Sequence, residues 1–152
     1  MGYTNSWHAT NQIAARSVSN GSLDRFGTAD ATDGGDAQRY SLSARWNRSG
    51  EKSANKIEAY AIYQTLNLYN NFTFLLNDAT NGDQFQQSDK RKIFGLNAAH
   101  TEFHPLLGYA AATTLGLQLR YDDIAVGLFN TQQRTPLSTV RFDRVNETSI
   151  GD

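Results

Sequence analysis

Three stretches of the chain carry residue types capable of site chemistry. The first is His100-Thr101-Glu102-Phe103-His104. On an extended strand, residues 100, 102 and 104 project to one side, so two imidazoles and a carboxylate could converge there on a divalent metal. The spacing is not the helical HExxH arrangement, because the acid stands two residues after the first His. The plainer reading is the interfacial end of a strand, where half-polar side chains meet headgroups. The expectation is therefore no metal, with His100, Glu102 and His104 the weak candidates for one on this strand.

The second stretch is Asp30, Asp33 and Asp36 around Gly34-Gly35, whose oxygens could wrap a calcium ion. It lacks the EF-hand spacing and reads first as turn chemistry, as do Asp78 and Asp83 around Asn81-Gly82. The third is a set of aromatics in polar surroundings, Tyr69, Phe72, Phe74 and Phe85. These would form either a ligand-contact platform or a hydrophobic clamp that keeps a long loop compact. No Ser, His and acid are spaced as a recognisable hydrolytic set, and no cysteine is present to act as nucleophile, thiolate ligand or disulfide. Neither an enzyme nor a cofactor is expected.

The elements that must position these residues show themselves by alternation. In QRYSLSARWN, residues 38–47, Tyr40, Leu42, Ala44 and Trp46 fall on one face of a strand and Arg39, Ser41, Ser43, Arg45 and Asn47 on the other. Residues 113–122 repeat the pattern, with Leu115, Leu117, Leu119 and Tyr121 set against Thr114, Gly116, Gln118 and Arg120. The apolar face must meet either a second protein layer or lipid.

Bulk composition fits both. An apolar fraction of 39% in 152 residues is lean for a soluble core, yet two Trp, seven Tyr and eight Phe are too many for a disordered chain. A barrel wall with one face in lipid and one wet face has such a composition, since only about half of each strand need be apolar, and a polar-surfaced β-sandwich has it too. A net charge of −1, from 14 basic and 15 acidic residues spread along the chain, leaves no nucleic-acid footprint. No run approaches the ~18 apolar residues of a membrane helix, whereas barrel strands need only ~9–11 alternating ones.

Six strands are expected. The first lies over residues 3–10, with Tyr3 and Trp7 on one face, and a polar loop follows over 12–37 in which AARSV could coil briefly. Strands over 38–48, 56–68 and 91–103 come next. In the second of these, Tyr60, Ile62, Leu66 and Leu68 oppose Ile57, Ala59, Ala61 and Tyr63; in the third, Phe94, Leu96 and Ala98 face one way. The fifth strand, from Thr113 to about Thr131, changes apolar parity at Ile124, Val126 and Leu128, which implies a bulge near Asp122-Asp123. The last opens near Val145. The connections alternate: long over 12–37, short over 48–55, long over 67–90, short over 104–112 with Pro105 in the turn, and intermediate over 132–142. Outer-membrane barrels alternate in this way between periplasmic turns and extracellular loops.

RFGTADATDGGDAQRYSLSARW, NFTFLLNDATNGDQFQQSDKRKIFGLNAAHT, LGLQLRYDDIAVGLF and RVNETSIG, spread over most of residues 20–151, resemble the barrel portion of TonB-dependent outer-membrane receptors of Gram-negative bacteria. The resemblance implies an all-β fold of about six antiparallel meander strands, forming part of a transmembrane β-barrel wall with long loops on one side. In that family a barrel of ~22 strands is plugged by an N-terminal domain, and the TonB complex energises uptake of siderophores, metal chelates or other small nutrients. Residues 1–152 then make one partial barrel domain, with nothing resembling a plug or an export signal. Its implied partners are outer-membrane lipid, the remaining strands and plug of a parent chain and, through that parent, the TonB complex. Tyr40, Leu42, Trp46, Leu115, Leu117, Leu119 and Tyr121 are expected to face lipid, and Arg39, Arg45, Gln118 and Arg120 the lumen. The alternatives are a soluble β-sandwich binding a ligand or glycan and a small outer-membrane barrel enzyme.

Overall fold

A computed structural model describes residues 1–8 and 13–151. Its described residues form one antiparallel sheet of six strands: β1 (Gly2–His8), β2 (Gly34–Ser49), β3 (Ser53–Asn70), β4 (Phe85–Leu106), β5 (Tyr109–Gln132) and β6 (Thr135–Gly151). Each strand pairs with the next in chain order, and β1 and β6 are outer strands that do not pair with one another. A single short helix, α1 (Ala15–Ser19), sits in the first connection, where AARSV is expected to coil. The expected ends of the first strand at residues 9 and 10, the expected loop start at Gln12, and Asp152 lie outside the described residues.

The strands are much longer than the 3–10 residues usual in globular proteins. β4 has 22 residues and β5 has 24, about 80 Å of chain for the latter at ~3.3 Å per residue. Strands of this length leave little for the loops. The second long connection shrinks to residues 71–84, because β3 runs to Asn70 and β4 begins at Phe85. The first ends at 33, and the short one covers only 50–52.

Two expected connections are tight turns instead. Leu106 pairs with Tyr109, leaving Leu107 (φ 53°) and Gly108 (φ 83°) as a two-residue hairpin. Pro105 is therefore inside β4, opposite Ala110. It lies beyond Ser53, where the pairing of β3 with β4 begins, so β4 is an edge strand there and a missing N–H is tolerated. Likewise Gln132 pairs with Thr135, and the intermediate loop over 132–142 reduces to Gln133 (φ 49°) and Arg134 (φ 66°). Pro136 hides this strand from a sequence reading, and it sits beside a register irregularity at Asn130/Thr131, the kind of place where a strand proline is found.

The bulge expected at Asp122-Asp123 does not occur. Asp122 pairs with Ile93 and Glu147, and Asp123 with Lys92 and Asn146, all in continuous register. The parity change is a change of face. Beyond residue 122 the apolar side chains Ile124, Val126 and Leu128 lie on the face shared with Asp122, in rows with Gln64, Leu66 and Leu68 of β3. The shifts in register that do occur lie further on, between Leu128/Phe129 and Asn130/Thr131.

Close approach of chains fixes one glycine. Gly34 opens β2 at φ +134°, and a Cβ there would stand 2.1 Å from the carbonyl oxygen of Trp7. Gly34→Ala should therefore detach the His8 end of β1, at a cost of about 1–3 kcal/mol for the strained backbone. Hydrogen exchange should show residues 2–8 losing protection while β4 and β5 keep theirs; unchanged protection of β1 would contradict this account.

Candidate functional site

Unbroken register carries the alternation of each strand across the sheet and sorts the side chains into two faces. On one face the rows read Trp46, Ile57, Ala98, Leu117, then Ala44, Ala59, Leu96, Leu119, then Leu42, Ala61, Phe94, Tyr121. Tyr40 and Tyr63 head the next row, and Leu115 stands one row beyond Trp46 at the other end. All seven residues expected on the apolar face share it. The rings of Phe94 and Tyr121 stack across β4 and β5 with centroids 6.4 Å apart. Apolar as it is, this face is open: Leu42 is 75% exposed and Leu115 72%.

The opposite face carries Arg39, Arg45, Gln118 and Arg120 together with a ladder of charge pairs. Arg45 and Lys56 both pair with Glu58, and Arg39 donates to Gln64 Oε1 at 2.6 Å. Arg91 pairs with Asp89 at 2.6 Å, Arg120 with Asp122 at 2.7 Å, and Arg141 with Asp143. Several of these pairs are two residues apart on one strand, which puts both partners on the same face. That i, i+2 spacing of opposite charges is legible in Asp89-Arg91 and Arg141-Asp143, and it is the signal that a search for catalytic spacings passes over. The middle of this face is the better covered one, with Ile93 at 9% and Asp122 at 8% exposure. The ring of Tyr60 lies over Gly95, where a Cβ would fall 2.1 Å from the ring.

The ligand-like trio divides. His100 Nδ1 is 2.8 Å from Asn55 Oδ1 and its Nε2 is 3.4 Å from Glu102 Oε2. His104 turns away to the Thr113 hydroxyl at 2.8 Å. Among the described residues no group of three or more metal-binding side chains comes together. None of the three His residues contacts a serine hydroxyl among the described residues.

The two long connections and the β5–β6 turn meet at one end of the sheet, where a buried polar clamp joins them. Gln84, 3% exposed, is its centre. Its Nε2 donates to the Thr32 hydroxyl at 2.7 Å, and its Oε1 accepts from the Thr131 hydroxyl at 3.0 Å and the Arg134 amide at 2.8 Å. The Arg134 guanidinium donates to the Thr32 carbonyl at 2.7 Å and covers the Tyr69 ring, 5.1 Å from its centroid. These anchors hold Gln133 and Arg134 in a left-handed conformation that neither residue favours. Asn71 donates to Asp30 Oδ2 at 2.8 Å, and Asn67 to Asp36 Oδ2 at 2.9 Å. Asp30 and Asp36 are thus held by separate amides.

The loop aromatics take unlike places. Tyr69 is buried under Arg134, Phe72 and Phe85 meet with ring centroids 5.7 Å apart, and Phe74 carries a positive φ of 61°. The carbonyl of Phe74 accepts from the Asp83 amide at 2.7 Å, so this residue helps fold the loop back on itself.

Carboxylates tie the loop backbone. Burial alone would raise the Asp30 carboxyl, but hydrogen bonds from Thr32 and Asn71, with Arg134 nearby, outweigh it and hold the group below its ordinary 3.8. Asp83 is lowered by the Asn77 amide first and by Thr73 and the Asp78 amide as well, and Asp78 by the amide and side chain of Asn81 and the amide of Thr80.

Compared with known proteins, the chain matches no family model, no curated protein and no solved structure.

Two outcomes follow from the clamp. Gln84→Leu leaves the Thr131 hydroxyl and the Arg134 amide without their buried acceptor, at about 1–3 kcal/mol for each orphaned group. Limited proteolysis should then cut within 20–33 and 71–84 faster, with the sheet itself unaffected. The lowered carboxylates contribute loop stability that is full above their ordinary 3.8 and is lost as pH falls below it. Protection of residues 71–84 against exchange, corrected for the intrinsic rate, should therefore be flat from pH 7 to 5 and fall toward pH 3; a loss centred near pH 6 would assign it to other groups.

Proposed function

We propose that this chain is part of the wall of a TonB-dependent outer-membrane receptor, a non-enzymatic transporter that imports siderophores, metal chelates or other small nutrients. The observation that supports this reading best is the open apolar face on strands far longer than any soluble sheet requires. From the Arg48 row to the Tyr40 row is roughly 27 Å of strand, and outer-membrane barrels carry an apolar band ~25 Å tall across tilted strands, with aromatic girdles at its edges. Tyr40, Tyr63 and Tyr121 lie toward one edge of the band and Trp46 toward the other.

The charged face then lines the lumen, where Arg39, Arg45, Gln118 and Arg120 are wetted by water and stand within reach of a plug or a passing solute. Long loops gathered at one end belong on the cell exterior, and the hairpins at 50–52 and 107–108 belong in the periplasm. An open six-strand sheet leaves rows of unpaired N–H and C=O groups at both edges, each costing several kcal/mol in lipid. Further strands of a parent barrel satisfy them in this reading. A soluble sandwich would need a second layer over Leu42, Phe94 and Leu115, and the described residues form only one sheet.

Neighbouring substitutions on β5 test the reading. Leu119→Arg, in the central row of the band, should lower folding stability of the intact parent barrel in lipid by about 2–4 kcal/mol, and Gln118→Arg by much less. Urea titration of refolding into phosphatidylcholine vesicles measures both. Equal effects at the two positions, or a protein that stays monodisperse in buffer without detergent, would overturn the assignment.

A further inference from the structure

Lys90, Lys92 and Arg144 gather on the apolar face at the edge of the band nearer the long loops. Lys92 stands in the row of Tyr40 and Tyr63, directly beyond Leu42, Phe94 and Tyr121. Lys90 and Arg144 stand one row further, beside Ala125. These cations surround a hollow with Phe142 and Ala125 in its wall and Ser88 at its rim. Asp123 is the one carboxylate lining it, and Arg144 holds that group through two hydrogen bonds of 3.0 and 3.1 Å. Lys90 and Lys92 are exposed and form no ion pair among the described residues, and the Lys90 ammonium lies 5.9 Å from the centroid of the Tyr63 ring.

At the opposite edge of the band the same face carries Arg48 and the pair His100 and Glu102, so no comparable excess of cations gathers there. Three cations against one carboxylate, one row above leucine and aromatic side chains, complement a molecule with phosphates at its head and alkyl chains below. We propose that this hollow binds the phosphorylated headgroup of a membrane lipid in the leaflet beside the long loops, with its acyl chains lying along Leu42, Phe94 and Tyr121. The inference rests on the membrane-wall reading above. Lys90 and Lys92 supply the two unpaired charges, Arg144 stays paired and closes the far side, and Ser88 offers a neutral donor.

Native mass spectrometry of the full-length protein in detergent, titrated with diphosphoryl lipid A, phosphatidylcholine or inorganic phosphate, tests the site. The intact protein should retain diphosphoryl lipid A, and Lys90→Gln with Lys92→Gln should weaken retention at least about tenfold, at roughly fivefold for each ammonium near a charged headgroup. Lys90→Arg with Lys92→Arg should retain it, and Lys56→Gln, which removes one ammonium from the opposite face, should leave it unaltered. Equal retention by the double Gln variant overturns the proposal. So does retention of phosphatidylcholine as strong as that of lipid A, or full competition by millimolar phosphate, which would make the hollow a free-anion site. Insertion into phosphatidylcholine vesicles separates the two readings. A protein that inserts but retains lipid A regardless of Lys90 and Lys92 loses only the headgroup site, and one that does not insert loses the wall assignment as well.

Discussion

Side chains on a β-strand alternate between two faces, and hydrogen-bonded neighbours hold that alternation in step only while the register is unbroken. Here β2 through β5 pair residue by residue over their whole shared length. A single slip between β3 and β4 would drop Arg91 and Asn97 among the leucines and turn Phe94 to the charged side. Everything else in the molecule depends on that register: the apolar band, the charge ladder opposite it, and the meeting of distant loops at one end.

The two faces use polar groups differently. On the charged face, cations and carboxylates two residues apart neutralise one another beside water, which costs little and adds little to stability. The apolar face has no such pairs through its middle rows, and charge reappears on it only where the band ends. The same strands therefore change character along their length. Past Tyr121 the apolar face turns hydrophilic with Lys92, Lys90 and Asp123, while Ile124, Val126 and Leu128 lie on the charged face.

The loop end obeys a different rule, since backbone polar groups there have no ladder to join and must find side chains. Gln84 answers for three segments at once, linking Thr32, Thr131 and Arg134. The left-handed Gln133-Arg134 turn persists because Arg134 is bound on both its amide and its guanidinium. Polar groups in this cluster rigidify the loops only while every member keeps its partner.

How much of this was legible in the chain differs by element. The strands, their two faces and the separation of Arg39, Arg45, Gln118 and Arg120 from Leu42, Trp46 and Leu117 follow from alternation alone, because the period of two is a local property of extended backbone. The alternation of long and short connections also shows, except at the end, where Pro136 in QQRTPLSTV imitates a loop and conceals a two-residue turn. The parity change at Ile124 was visible, but its meaning was not. A bulge and a change of environment leave the same trace in one strand, and only the pairing partners Lys92 and Ile93 tell them apart. The clamp had no sequence signal, for Thr32, Gln84 and Arg134 lie 50 residues or more apart and come together only because the sheet returns three loops to one edge. Sequence determined which way each side chain points from its strand; tertiary structure decided what stands beside it, since neighbours across a sheet are set by register and loop closure, which no local spacing encodes.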